Sequence, residues 1–352
     1  MTDLPYTPPV APAGWMEVQA SANLTAPDGL VNAYRVVDGR TGFSVANAVL
    51  DLPWDRGALR GRLALQTGLM PSAYYGSEPE WRAAAGEGAS DATLWRHLLE
   101  AWAGGTVAPR WAVDAGLFLS PIGPETVAVR QNWTWSRSNL FYALPYYHSG
   151  VRTTWSLAPG HALAFWLTNG WNAATDGVPG LSPMVQWAWE LREGLSGSVL
   201  WAGSQERPLG APEGRPWRHL LDAHATWQLD RVWALQAHVD IGSERGDTGL
   251  AQWQAAAVTV RATPLERLDL ALRVDGFREE ALAASALVPG AIFWPVPWVR
   301  SVTATASWRA HRDWLWRLEA RHDEAAAALY PGAGGARLPV QDTLTLGMVQ
   351  GF

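Results

Sequence analysis

The chain has no cysteine and no lysine, and nowhere in its 352 residues does an apolar run approach the length of a membrane-spanning helix. Without cysteine there is no disulfide framework, thiolate metal site or Cys nucleophile, which suits a protein crossing an oxidising periplasm. All 27 basic residues are arginine, which reads mainly as a bias towards GC-rich codons and to a lesser degree as a use for rigid fixed charge. A spanning helix needs ~18 or more consecutive apolar residues, whereas here the 48 % of hydrophobic residues are interleaved with polar ones. The G-x-S-x-G, H-E-x-x-H and G-x-x-x-x-G-K patterns are also missing, and with them the common hydrolase, zinc and phosphate-loop signals. A net charge of −6 argues against nucleic acid as a partner. No signal peptide is visible, since Met1-Thr2-Asp3 leads directly into Pro5–Pro12; if the protein is exported, this is a mature form with an initiating Met.

What the chain does have is tryptophan, 23 residues of it, whose amphipathic ring favours membrane interfaces. It also has a repeated unit. From Gly14 onward, about ten residues of alternating apolar and polar character are followed by a break and another such segment, the signature of transmembrane β-barrel strands. Sixteen copies fall near residues 15–24, 42–52, 58–67, 94–105, 111–120, 149–157, 161–171, 184–192, 195–204, 217–229, 232–243, 251–262, 268–278, 299–310, 314–324 and 341–352. Seven breaks are tight, at 54–57, 107–110, 158–160, 193–194, 230–231, 264–267 and 311–313. They alternate with eight that are mostly longer, near 25–41, 68–93, 121–148, 172–183, 205–216, 244–250, 279–298 and 325–340. Short turns therefore gather on one rim, the periplasmic one, and long loops on the other.

Parity agrees, because successive side chains of a strand point to opposite faces. Over 268–275 one face is Leu268, Leu270, Leu272 and Val274, and the other is Asp269, Ala271, Arg273 and Asp275. A soluble sandwich would cover the apolar face with a second sheet, but every segment here has the same two faces. The expected fold class is all-β: a single transmembrane antiparallel β-barrel of sixteen strands over 14–352, after a Pro-rich periplasmic segment over 1–13.

Six of the seven tight turns carry tryptophan in or beside them: Trp54, Trp111, Trp155, Trp189, Trp227 with Trp233, and Trp308 with Trp314. A second set, Trp171, Trp201, Trp217, Trp253 and Trp298, falls at loop-side strand ends, so the two sets read as aromatic girdles at two interfaces. At the C-terminus Leu344, Leu346 and Met348 alternate before a terminal Phe352, with Gln350 as a departure. This resembles the signal by which barrels are recognised for outer-membrane insertion.

Three stretches carry a more specific resemblance: Trp135-Ser136-Arg137-Ser138-Asn139-Leu140, the run from Ala143 through Pro145, Tyr146, Tyr147 and His148 to Gly150-Val151-Arg152, and Thr168-Asn169-Gly170-Trp171-Asn172. With Phe118-Leu119-Ser120-Pro121-Ile122-Gly123 before them, they resemble the OmpL-like β-barrel porin family, whose layout extends over roughly 43–352. The resemblance implies a porin-like barrel in the outer membrane of a Gram-negative cell, and no particular substrate.

Parity directs eleven arginines and ten acids inward, so charge totals predict no strong ion selectivity. The wall residues expected to line and constrict a pore are Arg60, Arg62, Arg96, Glu100, Asp114, Arg152, Arg273, Arg317, Glu319 and Arg321. The longest break, 121–148, follows the fifth strand and carries Glu125, Arg130 and Arg137; folded inward against Arg60, Arg62, Arg96 and Arg152, it would set a size limit and a transverse field. The expected function is passive diffusion of small hydrophilic solutes or ions, with no cofactor and no metal. The expected partners are the bilayer, the barrel-assembly machinery and the solutes; a homotrimer stays open, since no strand face marks an interface. The alternatives are a non-conducting barrel that binds or scaffolds another envelope protein, and an enzyme, for which Asp222 with His224 is the nearest fragment.

Overall fold

The computed structural model describes residues 13–32, 34–35, 38, 40–78, 92–175, 180–207, 210–247, 249–283 and 292–352. Most of the Pro-rich N-terminal segment therefore lies outside the described residues. Two-residue alternation becomes sixteen barrel strands: β1 (Ala13–Asn23), β2 (Gly42–Asp55), β3 (Leu59–Thr67), β4 (Leu98–Ala108), β5 (Trp111–Leu119), β6 (Tyr147–Ala158), β7 (His161–Thr168), β8 (Ser182–Arg192), β9 (Leu195–Ser204), β10 (Arg218–Gln228), β11 (Trp233–Gly246), β12 (Gly249–Leu265), β13 (Leu268–Ala283), β14 (Trp298–His311), β15 (Trp314–Ala325) and β16 (Val340–Gly351). Each pairs antiparallel with its neighbours in the chain, and β1 pairs with β16, Trp15 opposite Gly351 and Asn23 opposite Thr343. Closure removes the sheet edges that hydrocarbon cannot satisfy.

All sixteen expected segments are strands, with boundary corrections: the seventh ends at Thr168 and not at 171, the thirteenth runs on to Ala283 past 278, and two more have a visible cause. The fourth begins at Leu98 and not at 94, because Ala92–Trp95 coil into a helical turn in which the Arg96 N–H donates to the Ala92 carbonyl (3.1 Å). The break expected at 244–250 is narrower, because β11 and β12 stay paired up to Gly246 and Gly249. The tight turns are closed locally; Asp230, for example, accepts from the N–H groups of Trp233 and Val232 (both 2.8 Å), which hold its carboxyl below the usual range.

The two faces separate as parity requires. On β13, Leu272 and Val274 are 51 % and 53 % exposed on the outside, while Arg273 and Asp275 are 1 % and 2 % exposed within. The outer face is the one lipid covers. Trp227, Trp233, Trp308 and Trp314 are exposed at the tight-turn rim, and Trp201 and Trp217 at the other. Trp253 and Trp171 depart from the girdle reading. Trp253 is buried inside, and both pack on Phe293, at 5.1 and 5.9 Å between ring centroids.

Candidate pore and constriction

The connection between β5 and β6, called L3 here (120–146), crosses the lumen. In the closed ring β13 lies diametrically opposite β5, and the loop is fastened to that far wall. Arg317 of β15 donates to the carbonyls of Val129 (2.8 Å), Thr134 (3.0 Å) and Asn132. Glu319, next inward on the same strand, accepts from the N–H groups of Trp135 (2.6 Å) and Ser136 (2.9 Å). Arg273 of β13 donates to the Ser136 carbonyl (2.7 Å) and the Thr134 hydroxyl (2.6 Å) and pairs with Glu125 (2.8 Å). Arg321 donates to the Arg137 carbonyl (2.6 Å), and Asp275 accepts from the Asn139 N–H (2.8 Å). A loop taken out of water must have its backbone groups satisfied, and here charged wall residues do so, each such bond contributing about 1.5–3 kcal/mol.

Two rings complete the attachment. The Trp135 indole N–H donates to Gln19 Oε1 (2.6 Å) while its ring lies over Gly347, where any Cβ would come within 2.2 Å of it. Arg130 lies over the Trp15 ring, 5.1 Å from its centroid. Arg137 is fully buried and donates to the carbonyls of Val127 and Trp135 (3.4 Å) beside Met70 and Tyr74. Those two belong to α1 (Leu69–Tyr74) in the β3–β4 loop, and Tyr74 donates to the Val127 carbonyl (3.2 Å). From the β1–β2 loop, Arg35 pairs with Asp323 (2.5 Å) and donates to the Arg137 carbonyl (3.0 Å), and Tyr142 donates to Asp38 (2.7 Å). Three loops thus pack as one body inside the barrel.

Inward folding of the loop agrees with the sequence expectation; the opposing wall does not. Glu125 and Arg137 do not face Arg60, Arg62, Arg96 and Arg152 across a gap, because that near wall is neutralised within itself. Arg60 and Arg152 share Asp114 (2.9 and 2.7 Å), and Arg62 bridges Asp51 (2.8 Å) and Glu100. Arg152 also lies within 4.9–5.5 Å of the Phe118, Trp166 and Trp102 rings. Arg96 follows the helical turn and is not on a strand.

The lumen is not uniformly polar. Phe118, Leu140, Leu144, Trp166, Leu200 and Leu220 belong to one buried apolar cluster between L3 and the wall. Towards the tight-turn rim the same wall is polar: a cavity of about 700 Å³ is bordered by Gly123 and Pro124 of L3 and by Gln186, Ser198, His224, Thr226 and Gln236 of β8–β11, and reaches Gly160 and His161. Sequence reading missed Gln19, Asp51, Arg35, Asp38 and His238. The first two were legible from strand parity, and His238 from the tight turn at 230–231, about which it mirrors His224. Arg35 and Asp38 sit in a loop, where no periodicity assigns a direction.

A closed sixteen-stranded barrel with an apolar outer face and a loop folded into its lumen defines the class: a porin-like barrel of the bacterial outer membrane. More particularly, the chain belongs to the family described as "Putative beta-barrel porin-2, OmpL-like", which matches residues 9–352; it is a family of porins and not of enzymes. No curated protein matches the sequence. Among solved structures, the outer membrane channel DcaP of Acinetobacter baumannii is similar at a TM-score of 0.63 and 12 % identity, covering 97 % of each chain. The anion-selective porin from Comamonas acidovorans is similar at 0.63 and 13 %, covering 97 % of this chain and 99 % of that one. OmpT of Vibrio cholerae in its trimer form gives 0.58 and 9 %, covering 97 % and 99 %. At these identities the likeness is one of fold.

Proposed function

We propose that the protein is a narrow channel for passive diffusion of small hydrophilic solutes or ions, with L3 as its constriction. The observation that carries this reading is the asymmetry of the loop's attachment. L3 is drawn to the β13–β1 wall by Arg273, Arg317, Glu319 and Arg321, and the polar wall of β8–β11 beside the cavity is left for solute. Around L3, Arg60, Arg62, Arg152, Arg273 and Arg321 are paired with acids and Arg137 and Arg317 with loop carbonyls, which leaves little unpaired arginine charge there to select strongly by sign. Leu344, Leu346, Met348 and Phe352 serve as the insertion signal for the barrel-assembly machinery, three of them on the lipid face and Phe352 exposed at the rim. Assembly as a homotrimer would accord with the solved trimer of OmpT.

A second reading, a non-conducting barrel that binds or scaffolds another envelope protein, draws on the apolar cluster around Phe118 and Leu140. Planar bilayers distinguish the two. Folded protein is expected to insert with small, uniform conductance steps; verified insertion without steps contradicts the channel and favours the second reading.

A further inference from the structure

Beside the cavity, β10 and β11 carry a mirrored pattern, Asp222-x-His224 and His238-x-Asp240, with Asp222 opposite Asp240 and His224 opposite His238. Like charges directly opposite on one sheet face repel, and these two carboxylates are also buried, at 0 % and 1 % exposure. Some interior acids are neutralised by arginine, as Asp114 is by Arg60 and Arg152, and Glu244 by Arg207 and Arg218, and others accept from backbone N–H groups, as Glu319 does. Among the described residues no arginine pairs with Asp222 or Asp240. Their shared partner is His238, whose Nε2 lies 2.6 Å from Asp222 Oδ2 and 3.3 Å from Asp240 Oδ1. One imidazole does not satisfy the group: both carboxylate oxygens of Asp240 and Nδ1 of His238 are buried without a hydrogen bond, a costly state for a charged side chain.

We propose that Asp222, His238 and Asp240 form a binding site for a first-row divalent transition-metal ion, with His224 on its cavity side. Each of the three offers a ligand atom, and these atoms lie within 4.8 Å of one another. One imidazole with two carboxylates is a donor set that suits zinc, manganese or iron(II), and a dipositive ion neutralises both acids where arginine does not reach. The 3.3 Å between His238 Nε2 and Asp240 Oδ1 is near the ligand spacing that tetrahedral bonds of ~2.0–2.1 Å require, whereas the 2.6 Å to Asp222 Oδ2 is a hydrogen-bond spacing that opens when an ion replaces the proton. Binding displaces the proton that His238 shares with Asp222, and it leaves to solvent. His224, with Nδ1 3.2 Å from Asp222 Oδ1 and its side chain 15 % exposed, steadies Asp222 from the cavity side, and water from the cavity completes the coordination. Gly123 of L3, at φ 74°, abuts the ring of His238, and a Cβ there would come within 2.8 Å of its Cε1. An ion bound here lies at the root of the constricting loop.

The test is titration of the full chain, folded in detergent, with Co²⁺ followed by visible absorption and then competed with Zn²⁺. One equivalent per chain is expected, with d–d bands that Zn²⁺ abolishes. Asp240→Asn and His238→Gln should each weaken binding at least tenfold while keeping the heat-modifiable gel mobility of a folded barrel. His311→Gln combined with His322→Gln, which removes the exposed histidine–acid pairs, should leave binding unchanged. Absence of Co²⁺ bands in the unaltered chain overturns the proposal. So does their loss in the surface double variant, or their full retention in folded Asp240→Asn. None of these readouts depends on conductance, so a negative result leaves the channel reading untouched.

Discussion

Arg317 reaches three carbonyls of L3 at once, and Arg273 holds an acid, a carbonyl and a hydroxyl of the same loop. Only a planar fork with five donors spans such targets; an ammonium is a point charge. The all-arginine composition, whatever its codon origin, thus has a structural use here. Arg317→Lys keeps the charge yet leaves at least one buried carbonyl without a donor, a cost of about 1–3 kcal/mol. The temperature at which the protein loses its folded gel mobility should fall, whereas the same exchange at exposed Arg312 should leave it unmoved; equal behaviour of the two would contradict the role given to Arg317. Parity made the inward direction of Arg273, Arg317 and Arg321 legible in the sequence. Their partners were not, because they lie 137–188 residues away on a loop whose path no periodicity encodes.

At the scale of elements, the strands were readable because each must show one face to lipid and one to the interior. The turns were readable because tight and long breaks alternate. Helical residues disturb that code: Ala92–Trp95 resembles strand in composition, and it moved the expected start of β4 and the placement of Arg96. Trp253 and Trp171 were misassigned to a girdle because position along a strand does not reveal that part of the lumen is apolar. The site was half legible for the same reason. L3 was correctly expected to fold in, but its docking wall depends on which arginines are already neutralised, a three-dimensional fact. L3 also rests on a missing side chain, since Trp135 occupies the space over Gly347. Gly347→Val should expel the indole at a cost of about 1–3 kcal/mol, lowering thermal stability and giving larger, noisier conductance steps. Unchanged steps together with unchanged stability would mean that Trp135 is not the anchor described.

At the scale of the molecule, the barrel inverts the usual order: the outside is apolar, and the inside is an assembly of loops held by buried ion pairs against β13–β1. Such pairs are weak as sources of net stability but specific in geometry, which suits a constriction that must hold one position. The lumen is thereby divided into a filled side and a polar side. Because the chain has no native cysteine, single cysteines can report on each side separately. The most direct measurement is single-channel conductance before and after a charged, membrane-impermeant thiol reagent, with Thr226→Cys on the cavity wall and Thr305→Cys under L3, where the native hydroxyl donates to Glu319 (2.7 Å). The expected result is that modification lowers the step of Thr226→Cys and leaves that of Thr305→Cys unchanged; a blocked Thr305→Cys channel beside an unaffected Thr226→Cys channel would contradict the division of the lumen.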